Sequence, residues 1–364
     1  MKIDISQFRR DSSFYGELNL LLTVKSFDLQ AIRKRYLASK KNNRVGSVER
    51  RKVALGGIVS VSLKNGQSLE ERVLSILKEP RGIHFYKGKL AISSENKAYV
   101  LTDTIHVIQN DWFSYIHTVE FSPFKDVNLL ISSSGYDCIF EYNWKQKTCE
   151  WEWFAWENGM CQGKDPETKN PLYLTRDKKQ FNRWNKEGVK SLLIDDPLTQ
   201  ILPTAKRAAF INSVSYHQSK EGVLLATLFH QGSVAYINQK TGQIAVVMDG
   251  LRNPHGGWQS KNILMATSTA SGEVRLNDDA FIFQNLANKP VELGEMEWLQ
   301  NSKKIKDFIV TIDSNRTSFV VFHPEKQLYD IIPFNDNWAV QDMVEGELSA
   351  IQIDQLQSLS LLNE

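Results

Sequence analysis

Short runs of apolar or alternating residues, broken by turn residues, recur along most of the chain. Such alternation predicts half-buried strands, and the Gly, Asn, Asp and Lys clusters between runs predict tight turns. "YIHTVEFSPFKDVNLLISSSGYDCIFEYNWKQKTCEW", from Tyr115, and "FINSVSYHQSKEGVLLATLFHQGSVAYINQKTGQIAV", from Phe210, align without a gap at an offset of 95 residues. Ile116 then matches Ile211, Val119 matches Val214, and Leu129-Leu130 match Leu224-Leu225. Each copy reads as four strands. A third copy, "HGGWQSKNILMATSTASGEVRLNDD", puts His255 opposite Asn212. Weaker copies start at Ile83, "IHFYKGKLAISSENKAYVL", and at Glu297. The starts at Asn212, His255 and Glu297 lie 43 and 42 residues apart, the period of a four-stranded propeller blade.

The ends of the chain complete the pattern. "WAVQDMVEGELSAIQI" can begin a blade that "GELNLLLTVKSF" and "GGIVSVSLKNG" finish, which would close the ring and leave no open sheet edge. The fold expected is all-β: a single domain over residues 1–364, a β-propeller of about six four-stranded blades closed by N- and C-terminal strands. Separate terminal blades would make seven. Residues 159–209 break the period with a polar segment, expected to be an ordered, lid-like insert over the channel mouth, since Leu172, Tyr173, Phe181 and Trp184 argue for packing. Only "SFDLQAIRKRYLASK" and the last residues read as helix. "CEWEWFAWENG" reads as an outer strand whose tryptophans pack between blades.

Charge changes the picture little. Among 364 residues the formal net charge is +2, with no acidic or basic tail, so neither nucleic acid nor a membrane surface is expected as a partner. The three cysteines form no CxxC pair, and the N-terminus has no apolar signal region. A reduced, cytoplasmic protein is the expectation. No apolar stretch reaches membrane-span length. Nothing in the sequence speaks to oligomeric state.

The repeat also maps a site. First strands line a propeller's channel, and the loops that lead into them open on the same face as the loops between strands two and three. His84, His117, Asn212 and His255 fall at the start of strand one, with further members near Glu297 and between Trp338 and Asp342. The neighbouring loops supply Tyr136, His230, Arg252 and Arg316, and Arg176 and Arg207 come from the insert. Histidines converging on a channel mouth can act as acid, base or nucleophile. His84, His117 and His255 can equally be read as ligands of a divalent metal such as zinc, iron, copper or calcium. The arginines would suit a sulfate, phosphate or carboxylate through bidentate bonds. His106, His217 and His323 read as structural.

The blade pattern in "NSVSYHQSKEGVLLATLFHQGSVAYINQKTGQIAVV" and "LLISSSGYDCIFEYNWKQKTCEWEW" resembles that of arylsulfotransferase-type propellers, over about Ile83 to Phe334. "PHGGW" resembles the PHG turn of lactonase-like and NHL-like propellers. The first resemblance implies a histidine nucleophile, with His117 and His255 as the matching positions, and arginine for the sulfate. The function expected is therefore an enzyme acting on a small anionic or aromatic substrate at a His-lined channel. It would be a transferase or hydrolase, or a metal-dependent lyase or oxidase. The alternative is a non-catalytic propeller that binds a protein or small ligand.

Overall fold

The computed structural model describes residues 1–41, 46–49 and 52–361. Its strands form six sheets of four or five strands and one three-stranded sheet. Blade 1 consists of Val340–Glu345, Glu17–Val24, Leu55–Lys64 and Gln67–Lys78, so its inner strand comes from the C-terminal end of the chain. Blades 2 to 6 follow in chain order, with inner strands Ile83–Tyr86, Ile116–Phe121, Ile211–Tyr216, Pro254–Ser260 and Leu299–Ile305. Each inner strand packs against the next, and that of blade 6 packs against that of blade 1, which closes the ring. The fold is a six-bladed β-propeller.

Antiparallel pairing within each blade follows the expected alternation. In blade 4 the first two strands are buried on both faces, and the fourth, Ile244–Met248, is more exposed. The tryptophan-rich strand Thr148–Phe154 is the outer strand of blade 3; Trp151 and Trp153 donate to the carbonyls of Gln239 and Gly242 in blade 4. Two N-terminal strands add parallel fifth strands outside the repeat: Lys2–Asp4 beside Asp279–Ile282 in blade 5, and Arg9–Arg10 beside Leu328–Pro333 in blade 6. No described helix is long and apolar enough to cross a membrane.

Neighbouring blades are joined by small polar side chains on second strands. Thr23 Oγ1 donates to the Arg81 carbonyl at 2.7 Å, and Ser93 Oγ to the Ile116 carbonyl at 3.1 Å. Ser134, just past its strand, donates to the Ile211 carbonyl. Thr227 Oγ1 accepts from Gly257 N at 2.8 Å, and Thr267 Oγ1 meets Ser302 Oγ at 2.8 Å. The sixth joint is made by amides, with Gln341 Nε2 donating to Gln300 Oε1 at 3.0 Å. Gly257 is required by the Thr227 joint: a Cβ there would stand 2.5 Å from Thr227 Oγ1 and 2.9 Å from a Val234 methyl. Gly257 of "PHGGW" thus brings blade 5 against blade 4, while a Cβ on Gly256 would meet Asn301 of blade 6 at 3.0 Å.

Residues 159–209 fold as a small unit of their own. Gln162–Lys164, Pro171–Thr175 and Ser191–Leu193 form the three-stranded sheet, with a helix, Lys178–Lys186, joining the two parallel strands. A second helix, Leu29–Lys41, fills the loop between strands two and three of blade 1, and a third, Ala350–Leu361, packs on that blade's outer strand.

Thr227→Val keeps the shape but leaves the Gly257 N–H and the Ser213 hydroxyl, both of which it accepts, without their partner. It should cost about 1–3 kcal/mol, read as a lower urea midpoint at unchanged m-value.

Candidate functional site

At one mouth of the channel a cavity of about 590 Å³ opens to solvent. One residue from each blade lines it at the same structural position: Gln341, Arg81, His117, Asn212, His255 and Gln300. The cause is local. Inner strands slip register here, at His117, Asn212 and Gln341 singly and at Gln300-Asn301 and Gly256-Gly257 as pairs. A bulge breaks the in–out alternation and re-aims a side chain.

His84 is not a member of this ring. The Gly82 N–H donates to Ser93 Oγ as the Thr118 N–H donates to Ser132 Oγ, so Arg81 is the structural equivalent of His117. His84 lies three residues further along and lines a separate cavity of about 140 Å³, deeper in the channel, together with Glu120, Lys303 and Asp342. There His84 Nδ1 accepts from Phe121 N at 3.1 Å, and burial holds its pKa down to about 3. Burial pushes Glu120 up to about 8. The three-histidine metal set is therefore not assembled. Among the described residues no group of three His, Cys, Asp or Glu side chains could hold a metal ion.

His117 is held in one tautomer. Nδ1 lies 2.9 Å from the Tyr115 carbonyl, which can only accept, and Nε2 lies 3.2 Å from Arg81 Nη1, which can only donate. The proton is thus on Nδ1. Burial and then the Arg81 charge hold the ring well below the usual histidine range. Arg81 is in turn gripped by Glu79 at 2.8 Å. His255 is built alike: Nδ1 meets Thr269 Oγ1 at 2.7 Å and the Asn253 carbonyl at 3.3 Å. Burial, then Lys25, hold its pKa down to about 3. Its Nε2 has no hydrogen-bond partner among the described residues. Both imidazoles are neutral at pH 7.

The rest of the wall is cationic and aromatic. Lys25 Nζ donates to Gln341 Oε1 at 3.0 Å and sits 5.7 Å from the Trp298 ring centroid. Tyr36, from the helix of blade 1, stacks on Trp298 at 5.2 Å. Phe210 and Phe229 also line the mouth, and Arg252 stands exposed. Glu295 and Glu297 also line the cavity; Glu295 is exposed, and Glu297 is engaged by Lys289 at 2.6 Å and Arg316 at 3.4 Å.

Several expected site residues lie elsewhere. Arg316 is buried, and its guanidinium is consumed by Asp313, Glu297 and the carbonyls of Phe283 and Leu286. Arg176 pairs with Glu157 and Glu152 over the Phe154 ring, away from the mouth. Tyr136 is buried and donates to the Pro197 carbonyl. His230 donates from Nε2 to the Thr204 carbonyl at 3.2 Å, tying down the insert behind the cavity wall. Arg207 lines an adjoining lobe. Of the insert, Thr204 alone reaches the main cavity among the described residues. Asp137 fastens its return: the carboxylate accepts from the backbone N–H groups of Ala208, Ala209 and Phe210 and from Trp156 Nε1. Arg81, Lys25, Tyr36, Trp298, Phe210 and Phe229 are among the wall residues that sequence reasoning missed. The Gly82–Ser93 bond marks the signal for Arg81: a small residue one position on, opposite a buried second-strand serine.

No protein-family model and no curated protein matches the chain. Among solved structures, it is similar to a chain of a nidogen/laminin complex, at TM-score 0.51 and 8% identity, over 90% of this chain and 97% of that one. It is also similar to a protein of unknown function from Bacteroides caccae, at TM-score 0.51 and 11% identity, over 90% and 98%. At such identities the likeness is one of fold.

The neutral histidines set a pH dependence. Unfolding lets each imidazole regain its ordinary pKa near 6.5, so below that pH the unfolded chain binds protons that the folded one refuses. Stability should fall as pH drops from 6.5 towards 3, by about 1.4 kcal/mol per pH unit for each such ring. Thermal unfolding between pH 7 and pH 5 should show the fall, and His255→Gln should lessen it by one ring's share, leaving those of His84 and His117.

Proposed function

We propose that the wide mouth binds a small anionic molecule with an aromatic or apolar body. One observation carries this: Arg252, Lys25 and Arg81 share a 590 Å³ cavity with Trp298, Tyr36, Phe210 and Phe229. The cations supply charge-assisted donors, and the rings supply a flat wall for a planar group. A mostly apolar pocket with a few convergent polar groups is the usual form of a small-molecule site. The ring amides and neutral imidazoles add donors and acceptors without adding charge.

A second reading, group transfer of the arylsulfotransferase kind, is favoured by one feature. His255 is neutral and its Nε2 has no partner among the described residues, as a nucleophile or base requires. Of the two candidate histidines it is the better placed, because Arg81 occupies His117 Nε2.

Calorimetric titration with 4-nitrophenyl sulfate tests the first reading. The protein should bind it, and Arg252→Ala should weaken binding about tenfold, the size of one charge-assisted contact. No binding by the unaltered protein would sink the proposal. Release of 4-nitrophenolate with a phenol as acceptor tests the second: His255→Gln should abolish it, and no release by the unaltered protein rejects it.

A further inference from the structure

Beside the main cavity lies a smaller lobe of about 160 Å³. The two share Lys25, Tyr36, Arg81, His117, Phe210 and Trp298 as a common wall. The lobe is lined by four cationic side chains, Lys25, Arg35, Arg81 and Arg207, and by no carboxylate among the described residues. Glu79 grips Arg81, yet it is not part of the lining.

The guanidiniums are arranged, not merely gathered. Arg81 and Arg207 both lie over the Tyr115 ring, with Cζ 5.5 and 4.5 Å from its centroid, and Arg207 also lies 4.8 Å from that of Phe210. An aromatic ring takes the face of a guanidinium and leaves its N–H edge for an acceptor lying in its plane. Both arginines are buried, so their side chains are fixed before any ligand arrives. His117 completes the arrangement by accepting from Arg81 Nη1 while staying neutral. Arg35 comes from the helix Leu29–Lys41 and is exposed.

We propose that this lobe is a subsite for the phosphate of a phosphomonoester, whose aromatic or apolar body extends into the main cavity against Trp298. The inference rests on the small-anion reading above and names its class. A phosphomonoester differs from a sulfate ester or a carboxylate in its second charge, which is present above a pKa near 6. Four cations in a small lobe favour the ligand that carries that second charge and offers three terminal oxygens to their N–H edges.

Calorimetry with 4-nitrophenyl phosphate and 4-nitrophenyl sulfate, which share one aryl group, tests this. At pH 7.5 the phosphate should bind at least about tenfold more tightly. The nitroaryl group acidifies the ester below the ordinary phosphomonoester pKa near 6, so the titration is repeated at pH 4.5, where much of the second charge is lost and the preference should shrink towards parity. Arg35→Gln, an exposed change whose folding is checked by circular dichroism, should reduce the pH 7.5 preference to about threefold. Equal affinities for the two esters would overturn the phosphate subsite and leave the small-anion reading standing. Binding of neither would overturn both. A preference untouched by Arg35→Gln would overturn the assignment to this lobe.

Discussion

The blade-to-blade joint made by second-strand hydroxyls is the constraint on which the rest of the molecule depends. Hydrophobic packing can hold two sheets face to face, but it does not set how far one slides along the other. A hydroxyl bonded to the next blade's inner strand does. With Thr23, Ser93, Ser134, Thr227 and Thr267 in place, successive inner strands are held in near-constant relative register. Their bulges therefore fall at one height, and six side chains from distant parts of the chain meet at one mouth.

Burial then decides the chemistry of those side chains. An imidazole removed from water and placed near Arg81 or Lys25 gives up its proton, so the ring contributes hydrogen bonds while the positive charge resides in lysine and arginine. The two channel cavities differ in kind as a result. The wide mouth is cationic and aromatic, whereas the narrow one pairs Lys303 with Asp342 at 3.2 Å and keeps Glu120 protonated near neutral pH.

The repeat was legible because alternation and turn residues survive at a period of about 43, and with it came the architecture, the closing strand and the positions of His117, Asn212 and His255. His84 misled because Ile83-His84 copies the dipeptide Ile116-His117, whereas the register of blade 2 is set by a glycine–serine bond that a hydrophobic pattern does not encode. The arginines divided for a similar reason. Their spacing gives no hint that Arg316 spends its donors on loop carbonyls while Arg252 stays exposed. Tyr36 was hidden because a helix carries it to the mouth from a loop of blade 1, and that loop has no counterpart in the other copies. The blade pattern made the propeller legible, whereas no family model matches the chain to support the arylsulfotransferase resemblance.

The closing strand has a temporal side. In blade 1, Val340 pairs with Val24 and Met343 with Leu22, so neighbours in the sheet are separated by most of the chain's length. While the chain is being made, Glu17–Val24 emerges among the first strands and its inner partner among the last. Until then the apolar run "LNLLLTV" has an uncovered edge. Synthesis should therefore pass through an open, five-bladed arc with two sticky ends, and the speed with which Val340–Glu345 docks would set how long the nascent protein is exposed to aggregation.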